Sequence, residues 1–146
     1  MTRWNKWSLF LLRVAMGWLF LYAGWAKVTN PEWSAAGYLG SAKTFPELFQ
    51  WFAQPENISW VNLLNMWGLT AIGVSLISGA LVKFSSIAGA LMMLLYYLPV
   101  LTFPTVDRSY LVDEHVIYAL VFAVLATFNA GEIWGLDAWL KKRLKI

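Results

Sequence analysis

The run Leu9–Lys27, LFLLRVAMGWLFLYAGWAK, is long and apolar enough to cross a bilayer, yet it carries Arg13 inside and Lys27 at its end. A hydrocarbon core of about 30 Å requires roughly 20 apolar residues in helix. A charge within that span is costly and faces protein or a water-filled cavity. At about 100° per residue, Arg13, Gly17, Phe20, Gly24 and Lys27 fall within an arc of about 80°. That face is expected to point into a bundle, while Leu11, Leu12, Val14, Trp18 and Leu19 meet lipid or apolar neighbours. Arg13 and Lys27 are about 21 Å apart along the axis by helical rise, so they belong to two different polar ends.

Composition extends this reading to the whole chain. Its 146 residues suggest one domain, 60% are hydrophobic and only 13% are charged, about half the charged share of a soluble domain. With ten tryptophans, a soluble chain of this size could not hide its apolar surface, so the class is a polytopic membrane protein. The absence of cysteine excludes disulfides, thiol redox chemistry and thiolate-bound metal. One histidine and no cysteine leave no haem or copper site of the usual kind, and no metal is expected. The net charge of +3 gathers at the chain ends without an aromatic-basic platform, so nucleic acid is not an expected partner. No phosphate-binding glycine loop or serine nucleophile motif is present.

Four spans are expected, at about 7–25, 60–82, 84–103 and 115–134, each near the length a bilayer requires. The first lacks a signal-peptide cleavage pattern and is expected to remain in place. Four crossings put Arg3, Lys6, Lys83, Lys141, Lys142, Arg143 and Lys145 on one side. Lys27, Lys43 and Arg108 lie on the other, with Glu32, Glu47, Glu56, Asp107, Asp113 and Glu114. Seven basic residues against three predict a multi-pass protein of the cell (inner or plasma) membrane with both termini cytoplasmic.

The long loop 28–59 opens on the turn signal Thr29-Asn30-Pro31 and reads as two short helices, Pro31–Leu39 and Pro46–Phe52. Their aromatic residues suit a cap on the outer membrane surface or a plain interfacial anchor. Lys83 alone is expected to join the second and third spans, and Pro99 to bend the third near its outer end. After Gly135-Leu136, Asp137 is expected to cap an amphipathic helix, Ala138–Leu144, whose Trp139, Leu140 and Leu144 sit against basic residues on anionic lipid.

The inward faces hold the candidate chemistry. Asn65, Gly68, Ser75 and Gly79 share an arc of span two, with Asn62 at its edge. In span three the arc is Ser85, Gly89, Met92, Tyr96 and Pro99, and small residues in both are explained by close helix packing. In span four, His115, Tyr118, Phe122, Leu125, Asn129 and Glu132 lie within about 100° of one another. Opposite the first helix this stripe gives two clusters. At the inner end, Arg13 with Glu132 or Asn129 makes a structural polar pair that fixes helix register or holds one end of a site. At the outer end, Lys27, Asn62, Asn65, Asp113, Glu114, His115 and Tyr118 converge beneath the aromatic loop, as interfacial caps or as the polar end of a ligand pocket. A quinone needs an apolar slot, one or two donors at its carbonyls and a proton path, which the outer cluster fits better. A proton or solute conduit along the stripe is opposed by its apolar middle, Phe122 and Leu125.

The segments LLRVAMGWLFLYAGWAKVTNP, WSAAGYL, DEHVIYALVFAVL and GEIWGLD resemble the DoxX/DoxD family of small four-helix membrane proteins over nearly the whole chain. Arg13, Gly24, Lys27, His115 and Asp137 match its motifs. The resemblance implies a quinone-linked redox role with a separate partner subunit, thiosulfate:quinone oxidoreductase in the DoxD branch, and partnership in oxidative-stress defence in other relatives. The expected fold is all-α, an antiparallel four-helix transmembrane bundle with an outer loop of short helices and a C-terminal amphipathic helix. The expected function is the membrane subunit of a quinone-linked oxidoreductase, His115 and Lys27 being the catalytic groups and Tyr118, Asn65, Arg13 and Trp25 the quinone contacts. The alternative is a non-catalytic scaffold assembling with redox or stress partners. The bilayer, a redox partner subunit and a second copy of the chain are the expected neighbours.

Overall fold

The computed structural model describes residues 1–106 and 109–144. Asp107, Arg108 and Lys145 of the charge balance, and the side chain of Leu144, lie outside the described residues. Three helices are long and apolar enough to cross a membrane: α1 (Arg3–Val28), α4 (Pro55–Ser78) and α5 (Val82–Val100). Between α1 and α4 run the short helices α2 (Ala36–Gly40) and α3 (Pro46–Ala53), close to the two expected in this loop. A fourth apolar helix, α6 (Glu114–Thr127), precedes a 3₁₀ turn (Ala130–Glu132) and α7 (Leu136–Leu144).

Each boundary has a local cause. Thr2 accepts from the Asn5 N–H at 3.2 Å, so α1 starts before the expected residue 7. Pro46 and Pro55 open α3 and α4, where a missing N–H is harmless. Span two was expected to run to residue 82, but Gly79 at φ 72° ends α4 and Leu81 at φ 55° turns the chain into α5. The link is therefore Gly79–Leu81, and Lys83 lies in the first turn of α5. Pro99 is the penultimate residue of α5, which stops before the expected 103. Three antiparallel two-residue strands follow, β1 (Leu101–Thr102), β2 (Thr105–Val106) and β3 (Ser109–Tyr110), in the order β1-β2-β3. The fold is thus mostly helical, as expected, with one small sheet of two-residue strands.

The fourth span departs most from expectation. At 14 residues, α6 is about 21 Å long by helical rise, short of the roughly 30 Å hydrocarbon core. The breakers Asn129, Gly131 and Gly135 follow its end, with Asn129 at φ 47° and Trp134 at φ 50°. Even so, α1, α4, α5 and α6 share one core, in which Phe20, Leu76, Met93 and Phe122 meet. Lipid-facing residues predicted on α1, Leu11, Trp18 and Leu19, are exposed, while Leu12 packs against the core. The helices α1 and α4 touch backbone to backbone. A Cβ on Gly24 would overlap Thr70, and one on Gly73 would overlap Leu21, which is the close approach small residues allow in membranes.

The early end of α6 explains Arg13. Its side chain is 0% exposed. Nη1 donates to the carbonyls of Ala130 at 2.7 Å and Ile133 at 3.1 Å, while the guanidinium lies over Phe10, 5.4 Å from the ring centre. Trp7 and Trp134 close the apolar side. The expected Arg13–Glu132 pair does not form. Glu132 is exposed and pairs with Lys141 at 2.9 Å, and Asn129 is exposed at the left-handed turn. The physical reason is that the irregular backbone turns the carbonyls of Ala130 and Ile133 toward Arg13, while the Glu132 and Asn129 side chains are exposed. Asp137 also has a different task. It caps α5, with Oδ1 accepting from Leu81 N–H at 2.7 Å and Oδ2 from Val82 N–H at 3.0 Å, while its own N–H donates to Gly79 O at 2.8 Å. Its charge also reaches Arg13.

Arg13→Ala is expected to lower stability in detergent by about 2–4 kcal/mol, because two buried carbonyls lose a charged donor. Arg13→Lys should lose less, since an ammonium still reaches one of them. Thermal or denaturant unfolding of both variants checks this; equal and negligible losses would show that Arg13 holds nothing.

Candidate functional site

The Lys27 end of α1 opens into a cavity of about 410 Å³. Trp33 of the loop and Tyr38, Phe49 and Phe52 of the short helices roof it, and α4 and α5 wall it with Trp60, Leu64, Met92 and Leu95. Its polar groups are few. Lys27 Nζ donates to Asn65 Oδ1 at 2.8 Å and to Tyr96 Oη at 3.0 Å. The ammonium also stands 4.7 Å from the ring centre of Trp33 and 5.2 Å from that of Tyr96, within cation–π range. An ammonium has three donors, so one N–H is left without a protein acceptor among the described residues.

His115 completes the polar end. Asp113 caps α6, its Oδ1 accepting from the N–H groups of His115 at 2.9 Å and Val116 at 3.2 Å. Oδ2 meets His115 Nδ1 at 2.6 Å. This fixes the imidazole by the nitrogen nearer the backbone and leaves Nε2 as its free proton site. The ring also meets Tyr96 edge to face, with centres 5.9 Å apart.

The roof is fastened to the membrane helices by polar bonds. Asn62 Oδ1 accepts from Ala35 N–H at 2.9 Å, and Asn62 Nδ2 donates to Ser34 Oγ at 3.2 Å. The Lys43 N–H donates to Pro99 O at 2.8 Å, and Thr44 Oγ1 to Leu101 O at 2.7 Å. Tyr38 Oη donates to the Tyr96 carbonyl. The aromatic loop is therefore a fixed cap over the cavity, and Phe49 is its most buried residue at 2% exposure. Burial, and after it the charges of Asp113 and Glu114, push the Tyr38 phenol up to about 12.

Lys27, Asn65 and His115 thus come together as expected, and Asn62 serves the roof. Glu114 is exposed in the first turn of α6. Two expected contacts lie elsewhere. Tyr118 packs on the core beside Phe20, ring centres 6.4 Å apart, because it is nearly one turn below His115. Trp25 is 55% exposed on the outer side of α1, two residues and about 200° from Lys27. Arg13 occupies the opposite end of the helix. Tyr96 and Trp33 were not singled out, although both touch Lys27. Tyr96 lies on the small-residue arc of span three, whose pattern suits helix packing, and Trp33 is one of several loop aromatics.

A Tyr38→Phe variant is expected to loosen the cap, raising the protease sensitivity of residues 36–53 with little change elsewhere. The pH dependence has a definite sign. The folded phenol ionises near 12 against an ordinary 10, so the tether's contribution is complete below about pH 10 and fades as pH rises through about 12. Ultraviolet titration of wild type against the variant checks this; a difference step centred near 10 would contradict it.

The DoxX family model matches residues 8–102. The match takes in α1, the roof, α4 and α5, and so Arg13, Lys27, Asn65 and Tyr96, but stops before Asp113, His115 and Asp137. No match is found among curated proteins or solved structures.

Proposed function

The chain belongs to the DoxX family and is a membrane protein with three helices able to span; from that premise we propose that it is the membrane subunit of a quinone-linked oxidoreductase, with the quinone head in the Lys27 cavity. The observation that carries this reading is the Lys27 amine, held by Asn65 and Tyr96 with one N–H unspent, at the end of an otherwise apolar aromatic slot.

The residues present fit a quinone. Its ring has apolar faces and its carbonyls only accept. A slot of about 410 Å³ is in the size range of small-molecule sites. Lys27 would hold one carbonyl by its third N–H. Asn65 and Tyr96 fix the position of the amine, and Trp33, Phe52 and Trp60 give flat apolar surface and exclude water. His115 would take or give a proton at Nε2, with Asp113 keeping the ring oriented. A bound quinone supplies two-electron, two-proton chemistry. One histidine and no cysteine give the chain few ligands for an electron carrier of its own, so a redox partner subunit delivers the electrons, from thiosulfate if the DoxD resemblance extends to the substrate.

In the membrane, α6 and the irregular backbone to Gly135 complete a fourth crossing. Non-helical backbone at that depth is tolerated where protein satisfies it, as Arg13 does for Ala130 and Ile133. Both termini are then cytoplasmic, in the plasma or inner membrane, and the cavity faces the outer side.

Purified protein in mild detergent is expected to yield quinone on organic extraction, and a short-tailed quinol analogue should raise its melting temperature. Lys27→Met should weaken that response at least tenfold, and His115→Gln should spare binding but slow quinone reduction by the assembled complex. Wild-type protein with neither extracted quinone nor a thermal response would leave the scaffold role as the better account.

A further inference from the structure

We propose that the Lys27 cavity also binds a single-tailed amphiphile with an anionic head, a long-chain carboxylate being its simplest member, and that this ligand arrives from the bilayer between α4 and α5. The inference rests on the cavity being a ligand site, but not on that ligand being a quinone.

The first argument is charge. Among the described residues, the carboxylates found against a basic side chain are Asp113 on His115 and Glu132 on Lys141, so no carboxylate neutralises Lys27. Its two acceptors, the Asn65 amide oxygen and the Tyr96 hydroxyl, are neutral. Asp113 belongs to the same end of the cavity, but both its oxygens are engaged by the start of α6 and by His115. Glu114 is exposed, and Tyr38 donates its proton to a backbone carbonyl. A cation surrounded by apolar walls and neutral acceptors favours a ligand that brings the missing negative charge.

The second argument is the direction of access. Trp33, Tyr38 and Phe49 roof the cavity, and the roof is tied down at Asn62, Pro99 and Leu101. The lining residues that are themselves exposed are Ser34 and Tyr38 in the roof and Trp60, Leu64 and Leu95 in the walls. The most open of the apolar ones, Leu64 at 62% and Leu95 at 54%, lie on helices able to span the membrane. The mouth is therefore an apolar gap on the lipid-facing side, suited to an acyl or isoprenoid tail. A small hydrated anion would have to shed its water against leucine to pass, whereas an amphiphile is already dissolved in the phase that the gap faces.

The test measures binding of radiolabelled palmitate and of methyl palmitate by scintillation proximity, with the protein in phosphatidylcholine nanodiscs. Wild type is expected to bind the acid at least tenfold more tightly than the ester. Asn65→Asp, which sets a carboxylate beside Lys27, should cut that preference below threefold, and Lys27→Arg should retain it. Equal wild-type affinities for acid and ester overturn the proposal without recourse to any variant, as does a preference unchanged in Asn65→Asp. Decylubiquinone separates the two readings. If it displaces palmitate, both ligands share the cavity. If the acid preference holds and the quinone neither binds nor competes, the quinone reading fails alone; if the quinone binds and acid and ester are equal, this proposal fails alone.

Discussion

Burial of the Arg13 guanidinium is the constraint on which the rest of the arrangement depends. A cation in the middle of an apolar helix requires compensation within protein, and no carboxylate pairs with it among the described residues. The compensation is backbone carbonyls, with the charge of Asp137 nearby. Because α6 stops at Thr127, the backbone beyond it turns the carbonyls of Ala130 and Ile133 toward Arg13, and Ala130 O keeps only a 3₁₀ bond from the Ile133 N–H at 3.2 Å. Small residues make room: a Cβ on Gly79 or Gly135 would crowd the guanidinium. Asp137 then fastens the α4–α5 turn to the same spot through the N–H groups of Leu81 and Val82. One arginine thus couples α1 to the end of α6, and one aspartate couples the start of α7 to the start of α5.

Lys27 is the opposite case on the same helix. Arg13 is enclosed and makes its bonds to the fold, so it serves as structure. Lys27 meets only an amide oxygen, a phenol and two aromatic faces, and it stands at the edge of a space that the fold leaves open. Close contact at Gly24 and Gly73 makes α1 and α4 behave as one rigid wall, which brings Asn65 to Lys27. The difference between the two cations is therefore enclosure: Arg13 is 0% exposed and shut in by protein, whereas Lys27 borders an open cavity.

Much of this was legible in the residues. The shared face of Arg13 and Lys27 follows from helical period, and the convergence of Lys27, Asn65 and His115 from placing polar arcs opposite one another. The roof was legible because proline, glycine and aromatic residues recur between residues 31 and 52. The break after α6 was hidden by hydrophobicity, which runs on through Ile133 and Trp134. Asn129, Gly131 and Gly135 carried the signal, but glycine is tolerated in membrane helices and does not by itself end one. The Arg13–Glu132 pair followed from assuming a continuous helix, and it fails because the chain turns there. Tyr96 and Trp33 were missed because aromatic side chains at a helix end or in a loop look alike whether they pack, anchor or line a cavity. Only the fold of the loop over α5 distinguishes them.

Whether α1 carries one enclosed cation and one open one is read from a density map of the purified protein in a native-lipid environment. Elongated density is expected with its polar end against Lys27 Nζ and its tail leaving between Leu64 and Leu95, while Arg13 touches only protein. A roof collapsed into the cavity, or a carboxylate of the chain itself against Lys27, would contradict it.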